Sequence, residues 1–395
     1  MTRHRKSDPR WRDEASSEVM AACVPSLELG DHVLLAGEAD PILRAALAAA
    51  GCAAHLWLRH ASAAGLATAW PPEGACSAAL LRLPRAKEEL DMMLHAAAAR
   101  VAPGGIIAVY GANDEGIRSA VTRMQPLLGD IEAADRRAHC CVLTARRPAD
   151  IPGLKSELSM WRRTARIAFC GVESDWASYP GVFAKGGLDD GTRLLIGTLA
   201  GLPAPAGVLD YGCGAGVIAA HVKALFPNSQ IVMADRDSLA GLAAGENVPG
   251  AQVRITSSLA DLGSERYDLI VSNPPIHDGK SEDYTVLGQL IAQAPARLTT
   301  RGSLVLVVQR RVPVAEWLEA AFARVEKAAE DTRYRVWRAS QPKKTATDVR
   351  STRAHSSEVR GRERLRPRAG ERGLQQDAVG QEHRAGQHGQ AARER

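Results

Sequence analysis

The amino-acid sequence predicts an α/β protein with two tandem Rossmann-like domains and a disordered C-terminal tail. Between residues 32 and 338, short apolar runs alternate with stretches of helical periodicity, a pattern typical of parallel sheets covered by helices. The pattern runs twice along 395 residues, which is enough chain for two hydrophobic cores. Segment 345–395 is rich in Gly, Arg and Gln and has no aromatic residue, so its burial cannot offset ordering entropy. We predict domains at 1–150 and 151–344.

Each element of the first domain is predicted from a short apolar run bounded by Gly, Pro or charged residues. A strand begins at His32, and a helix follows from Pro41 to Gly51. Further strands are predicted at His55–His60, Cys76–Pro84, Gly104–Gly111 and Cys140–Thr144. Two prolines and a glycine in Arg146–Gly153 then mark a linker.

The second domain repeats this order. Strands are predicted at Val208–Tyr211, Ile231–Asp235, Val253–Thr256, Asp268–Ser272 and Arg301–Gln309. Helices are predicted at Val217–Phe226, which Pro227 ends, and at Val314–Val325. A strand pair is expected near Tyr334–Arg338.

A glycine-rich turn follows the first strand of the second domain. Gly212, Gly214 and Gly216 are each separated by one residue, and glycine lets the backbone approach a ligand closely. This spacing differs from the dinucleotide motif Gly-x-Gly-x-x-Gly. Asp235 ends the next strand about 20 residues further on, the distance at which a carboxylate can take ribose hydroxyls. The pattern therefore favours a ligand that contains a ribose.

The apolar strand Asp268–Ser272 ends abruptly in Asn273-Pro274-Pro275. Proline fixes φ and removes a backbone donor, and it favours extended geometry in the residue before it. The turn is therefore stiff, and it lies at the carboxyl end of a strand, where open α/β sheets bind ligands. It presents the Asn273 amide oxygen and the Pro274 carbonyl as acceptors, which suits a planar amine.

Together, the glycine turn, Asp235 and the Asn-Pro-Pro turn resemble a class I S-adenosylmethionine-dependent methyltransferase of the "methyltransferase small" type. The resemblance implies that Asp210, Gly212 and Gly214 border the methionine part of S-adenosylmethionine, that Asp235 binds its ribose and that Ser258 lies near its adenine. The cofactor-binding residues that we expect are Lys185, Asp189, Asp210, Gly212, Gly214, Gly216, Asp235, Ser258 and Asn273. Asn273, Pro274 and Pro275 would form the catalytic turn.

Two further segments, Phe183–Leu195 and His277-Asp278-Gly279, are similar to the 16S rRNA guanine-N2 methyltransferases, a family with two tandem domains. This resemblance implies methylation of a guanine N2 amine in rRNA, with Ile276 and His277 contacting the substrate. The implied partner is rRNA or the small ribosomal subunit. The family carries an aromatic residue where Ile276 stands, and base–aromatic stacking contributes about 1–3 kcal/mol.

Other functions stay open from the sequence. Asn-Pro-Pro turns also serve methyltransferases that act on guanine N2 of 23S rRNA, on adenine N6 or on protein glutamine N5. A non-catalytic RNA-binding assembly protein is a further alternative, against which the intact motifs argue.

Composition narrows the class of protein. The seven cysteines are scattered without a Cys-x-x-Cys pair, which predicts a cytoplasmic protein without a metal site. No apolar run approaches the roughly 20 residues of a membrane helix. The chain carries a net charge of +5, most of it in the Arg-rich tail, so RNA contact by the folded part requires a local patch.

The first domain is predicted to be a degenerate methyltransferase domain that has lost its cofactor. Its turn Ala36–Asp40 has one glycine, and Arg82-Leu83-Pro84 stands where the second domain has Asn-Pro-Pro. Segment Gly111–Ala120 resembles part of the family's first domain. RNA contact and a structural role are both open for it.

Overall fold

The computed structural model describes residues 11–37, 40–62, 67–169, 172–182, 188–274, 277–278, 281–282 and 284–343. They belong to one compact unit that spans Met1–Thr345. The predicted tail, 345–395, lies outside the described residues.

The first sheet is parallel except at one edge. Its strands lie in the order β2 (Ala53–Trp57), β1 (His32–Ala36), β3 (Cys76–Arg82), β4 (Val101–Ala112), β6 (Cys140–Arg146) and β5 (Glu132–Asp135). β6 is antiparallel to both β4 and β5. The apolar faces of α1 (Trp11–Cys23) and α2 (Pro41–Ala49) pack on one side of the sheet, and those of α3 (Lys87–Arg100) and α4 (Val121–Leu128) on the other.

An antiparallel hairpin of β7 (Arg163–Phe169) and β8 (Val172–Ser178) separates the two sheets along the chain. The second sheet has the order β11 (Gln252–Ile255), β10 (Gln230–Asp235), β9 (Gly207–Tyr211), β12 (Tyr267–Ser272), β15 (Leu298–Gln309), β17 (Tyr334–Pro342) and β16 (Phe322–Glu330). Two short strands, β13 (His277–Asp278) and β14 (Ser281–Glu282), pair with each other.

Helices again cover both faces. Apolar residues of α5 (Asp190–Ile196), α6 (Val217–Leu225) and α7 (Ser238–Asn247) pack on one face, and those of α8 (Thr285–Arg297) and α9 (Ala315–Ala321) on the other. Apart from the edge strand β11, the described strands of the two sheets have the same order and directions. The predicted fold class of two tandem Rossmann-like α/β domains is confirmed, whereas the boundary near residue 150 stays a prediction.

The strands predicted to begin at Gly104 and Arg301 begin earlier, at Val101 and Leu298, and two other predicted elements are wrong at their carboxyl ends. The helix predicted at Val314–Val325 ends at Ala321, and β16 begins at Phe322. Tertiary pairing decides this end, because β16 adds to β17 along the sheet edge. The strand predicted at His55–His60 ends at Trp57, because beyond it Leu58 and His60 form only isolated bridges, with Ala67 and with Asp237.

In the described part of the chain, no helix is long and apolar enough to cross a membrane.

Candidate functional site

The glycine turn, Asp235 and Asn273 meet at the carboxyl ends of three neighbouring strands, β9, β10 and β12. The backbone N–H of Gly212 donates to the Ala234 carbonyl at 2.8 Å, which curls the turn over the end of β10. The Ser272 hydroxyl donates to the Tyr211 carbonyl at 2.6 Å and ties the ends of β12 and β9 together. The three motifs, which the sequence places after successive strands of the second domain, therefore lie at one edge of the sheet.

The three glycines of the turn play different parts. All have positive φ, at 74° for Gly212, 54° for Gly214 and 88° for Gly216, a region that other residues rarely adopt. A Cβ added at Gly212 or Gly214 would meet nothing within 4 Å, so both face open space. A Cβ at Gly216 would lie 3.0 Å from the Val248 side chain, so Gly216 permits α6 to pack beside α7.

Asp235 is half-buried at the end of β10. One carboxylate oxygen accepts the Gly214 N–H at 2.9 Å, and the other accepts the Asp237 N–H at 2.9 Å. Asp235 therefore bridges the glycine turn and the turn that leads into α7.

Asp210 lies beneath the glycine turn and is completely buried. Its Oδ2 accepts the Ala219 N–H of α6 at 3.0 Å, while its buried Oδ1 has no hydrogen-bond partner in the described residues. Burial raises the pKa of Asp210 to about 7, and the neighbouring Asp235 contributes in the same direction. Asp210 therefore ties the end of β9 to α6, and its contact with the methionine part of the cofactor stays a prediction.

Asp210 should make the free energy of unfolding fall as pH rises from about 4 to about 7. Its folded pKa is above the unfolded value of about 3.9, so the folded protein keeps a proton that the unfolded chain releases in that window. Asp210→Asn should remove this dependence, because an amide does not titrate in this range. Urea unfolding at several pH values measures this.

Asp268 is the control, because its pKa is shifted in the opposite direction to that of Asp210. Burial alone would raise the pKa of Asp268, but hydrogen bonds from Thr299, Gly207 and Ala206 lower it overall. Asp268→Asn should therefore destabilise the protein at pH 8, and the loss should shrink as pH falls below 4. A pH-independent effect of Asp210→Asn would show that the Asp210 carboxyl does not titrate within this range.

Asn273 is held by two residues that precede and begin α5. Its Nδ2 donates to Asp189 Oδ2 and to Thr192 Oγ1, both at 2.9 Å. Asp189 also accepts the backbone N–H groups of Gly191 and Thr192, as the N-cap of α5, and the Thr192 hydroxyl donates to it. A carboxylate offers acceptors, so these contacts orient the amide with its NH2 towards Asp189 and its oxygen away.

Of the remaining predicted residues, the structure describes Pro274 and Ser258 in full. Pro274 is buried directly after Asn273. Ser258 accepts the Ala260 N–H at 3.1 Å and donates to Gln293 Oε1 at 3.1 Å, beyond the end of β11. His277 begins β13, and its side chain is outside what the structure describes. Lys185, Pro275 and Ile276 also lie outside the described residues.

Thr192 was not predicted as a site residue. It stands in the segment Phe183–Leu195 that carries the resemblance. Its role depends on a contact with Asn273, 81 positions away in the chain, which no local pattern signals.

In the first domain, the position that corresponds to Gly212 is Gly37, and it lacks the open space found at Gly212. A Cβ added at Gly37 would lie 3.2 Å from the Cβ of Arg82. The Arg82 guanidinium is buried and pairs with Asp13 at 2.7 Å and Glu115 at 2.8 Å. In segment Gly111–Ala120, Glu115 thus has a structural contact.

Comparison with known proteins agrees with this architecture. The family model "Methyltransferase small domain" matches residues 173–338, and "Methyltransferase small domain N-terminal" matches residues 28–161. The ribosomal RNA small subunit methyltransferase C of Alteromonas mediterranea is 34% identical over 265 residues, which cover 66% of this chain and 72% of that protein. That of Alcanivorax borkumensis is 34% identical over 274 residues, which cover 66% of this chain and 79% of that protein.

The chain belongs to the ribosomal RNA small subunit methyltransferase C family. The sequence resemblance to a tandem-domain methyltransferase family is therefore confirmed.

A solved structure has the same fold as this member of the methyltransferase C family. It is the T. thermophilus 16S rRNA N2 methyltransferase (RsmC) in complex with AdoMet and guanosine, with a TM-score of 0.70 and 23% identity. The match covers 82% of this chain and 92% of that chain.

Proposed function

We propose that this protein transfers the methyl group of S-adenosylmethionine to the exocyclic N2 amine of a guanine in 16S rRNA. The orientation of Asn273 carries the proposal most directly. Its NH2 group donates to Asp189 and Thr192, so its oxygen is the atom that remains to accept a hydrogen bond from an amine. The relatives named for methylation of small-subunit rRNA support rRNA as the substrate class.

The second domain fits S-adenosylmethionine. Gly212 and Gly214 leave open space over the turn, and the half-buried Asp235 stands at the end of the next strand, where a carboxylate can take ribose hydroxyls. When bound, this cofactor supplies a methyl group activated by a sulfonium. Lys185 and Ser258 remain predicted contacts, and Asp189 acts in our proposal through Asn273.

The Asn-Pro-Pro turn would activate the acceptor amine. The nitrogen lone pair of an exocyclic guanine amine is delocalised into the ring, which makes the amine a poor nucleophile. The Asn273 amide oxygen and the Pro274 carbonyl can each accept a hydrogen bond from one of its two N–H groups and favour a more tetrahedral nitrogen. When the methyl group has been transferred, the positively charged nitrogen releases one proton to water. Holding the reacting atoms in line supplies much of the remaining rate acceleration. Ile276 and His277 are the proposed contacts to the base.

The first domain would contact the rRNA and bind no cofactor itself. At Gly37, which corresponds to Gly212, an added Cβ would lie 3.2 Å from the Cβ of Arg82, whereas the space at Gly212 is open. We propose the domain division at residues 150 and 344, as the sequence predicts. An rRNA substrate also implies a cytoplasmic enzyme.

Thr192→Val should lower the turnover number about tenfold or more, because Asn273 loses one of two acceptors that orient its amide. The affinity for S-adenosylmethionine should stay within about twofold, since Thr192 acts through Asn273. Single-turnover methyl transfer and calorimetry measure the two quantities. Thr198→Val is the matched control, because the Thr198 hydroxyl donates to the Leu195 carbonyl near the end of α5. Equal losses in both variants would mean that α5 is disturbed as a whole.

Tritium transfer to different acceptors tests the proposed substrate class. Purified protein and labelled S-adenosylmethionine are incubated separately with small ribosomal subunits, free 16S rRNA, 23S rRNA and ribosomal proteins from a strain that lacks the gene. We expect incorporation into small-subunit RNA, whether free or assembled. Incorporation confined to protein or to 23S rRNA would contradict the proposal.

A further inference from the structure

Arg59 of the first domain is buried against the second domain. Its side chain is 7% exposed. Nε donates to Asp237 Oδ1 at 2.8 Å and Nη2 donates to Asp237 Oδ2 at 2.6 Å, a paired contact that matches the flat guanidinium to the carboxylate. Nη1 donates to the Pro180 carbonyl at 2.9 Å and lies 3.0 Å from Glu89 of α3. The guanidinium thus joins α3 of its own domain to two segments of the other.

The backbone around Arg59 makes further contacts with the same turn. The Arg59 carbonyl accepts the Ser238 N–H at 3.0 Å and the Ser238 hydroxyl at 2.8 Å. The Ala61 N–H donates to the Arg236 carbonyl at 2.7 Å, and His60 forms an isolated antiparallel bridge with Asp237. Residues 59–61 therefore pair with residues 236–238 along their length.

Apolar side chains of α3 and α7, the helices next to the Arg59–Asp237 ion pair, also pack together. Met92 of α3 joins Trp161, Trp176 and the α7 residues Leu239 and Ala240 in one buried cluster. The side chains of Arg59, Glu89 and Asp237 are 7%, 13% and 12% exposed, and an ion pair that is shielded from water and has satisfied hydrogen bonds is costly to break.

Asp235, the carboxylate that we propose binds the ribose, directly precedes residues 236–238. The Asp237 N–H donates to Asp235 Oδ1, and Asp235 Oδ2 accepts the Gly214 N–H. Asp237 also caps α7 through the Leu239 N–H at 3.0 Å. A continuous set of hydrogen bonds thus runs from Arg59 through Asp237 and Asp235 to the glycine turn.

We infer that Arg59 is a positioning residue for the cofactor site, through which the first domain fixes the carboxylate of Asp235. This inference rests on the proposed binding of S-adenosylmethionine by the second domain. The first domain then contributes to the active site of its neighbour. Binding at the first domain and binding of the cofactor become linked, and such linkage is reciprocal.

The test compares two buried arginines. Arg59→Lys keeps the positive charge but cannot make the paired contact with Asp237. Arg82→Lys is the matched control, since Arg82 is equally buried and pairs with two carboxylates inside the first domain. Calorimetry with S-adenosylhomocysteine should show affinity lowered about tenfold for Arg59→Lys, a size common for coupled sites, and unchanged for Arg82→Lys. Methyl transfer should show a raised KM for S-adenosylmethionine with kcat nearly kept.

An analogue of S-adenosylhomocysteine without ribose hydroxyls separates positioning from loss of folding. Arg59→Lys should bind this analogue as the wild type does, because Asp235 then has no hydroxyls to hold. If Arg59→Lys does not fold, Ser238→Ala, which removes one hydrogen bond to the Arg59 carbonyl, takes its place. Its affinity for S-adenosylhomocysteine should fall a few-fold, while its affinity for the analogue without ribose hydroxyls should equal that of the wild type.

The outcomes separate this inference from the proposed function. Wild-type affinity in folded Arg59→Lys, or equal losses in both lysine variants, would overturn the positioning role. Failure of the wild type to bind S-adenosylhomocysteine would instead overturn the proposed cofactor.

Discussion

Asn273→Ala should lower the rate of methyl transfer to rRNA by on the order of a hundredfold or more, which is typical for one lost transition-state acceptor. The amide oxygen should bind the amine most strongly as its nitrogen becomes tetrahedral. Removing such an interaction lowers kcat without weakening ground-state binding. The affinity for S-adenosylmethionine should therefore change little. Single-turnover tritium transfer gives the rate, and calorimetry gives the affinity.

Asn273→Asp is the companion variant. It keeps the shape of the side chain but places an oxygen where Nδ2 now donates to Asp189 and Thr192. Two carboxylates would then face each other, and the side chain should turn away from its present position. We expect this variant to be about as slow as Asn273→Ala. Near-normal rates in either variant would mean that the Asn-Pro-Pro turn is structural and that methyl transfer occurs elsewhere.

Asp235→Ala should weaken the binding of S-adenosylmethionine by about 1–3 kcal/mol, the size expected for charge-assisted hydrogen bonds. Two effects add in this variant. The ribose hydroxyls lose their acceptor, and the N–H groups of Gly214 and Asp237 lose the carboxylate that joins their turns. Isothermal calorimetry with S-adenosylmethionine measures the change.

Asp268→Ala controls for loss of a structural carboxylate. Asp268 Oδ2 accepts the Ala206 and Gly207 N–H groups at 2.9 and 3.2 Å, near the opposite end of β12. This variant should lose stability but bind S-adenosylmethionine as the wild type does. If Asp235→Ala binds as tightly as the wild type, the ribose lies elsewhere and the cofactor assignment is wrong.

Local sequence patterns were sufficient to predict most of the parallel strands of the second domain. The apolar strands of the second sheet are short and bounded by Gly, Pro or Asp, so β9, β10 and β12 are predicted close to their observed bounds. Parallel strands present their carboxyl ends at one edge, which is why the glycine turn, Asp235 and Asn273 could be expected together.

Features set by tertiary contacts could not be predicted. Phe322–Glu330 forms a strand because β17 pairs with it, and its own alternation of residues carries no clear signal. The hairpin of β7 and β8 was missed in the same way. Arg59 follows a strand with nothing nearby to mark it, and its partner Asp237 stands 178 positions away. The partners that orient Asn273 are likewise distant in sequence.

The identity of the methylated nucleoside tests the central claim most directly. Small ribosomal subunits from a strain that lacks the gene are incubated with the purified protein and S-adenosylmethionine that carries a trideuterated methyl group. The 16S rRNA is then digested to nucleosides and analysed by mass spectrometry. We predict trideuterated N2-methylguanosine with the wild-type protein and almost none with Asn273→Ala. Label in N6-methyladenosine, or equal N2-methylguanosine from both proteins, would contradict the account.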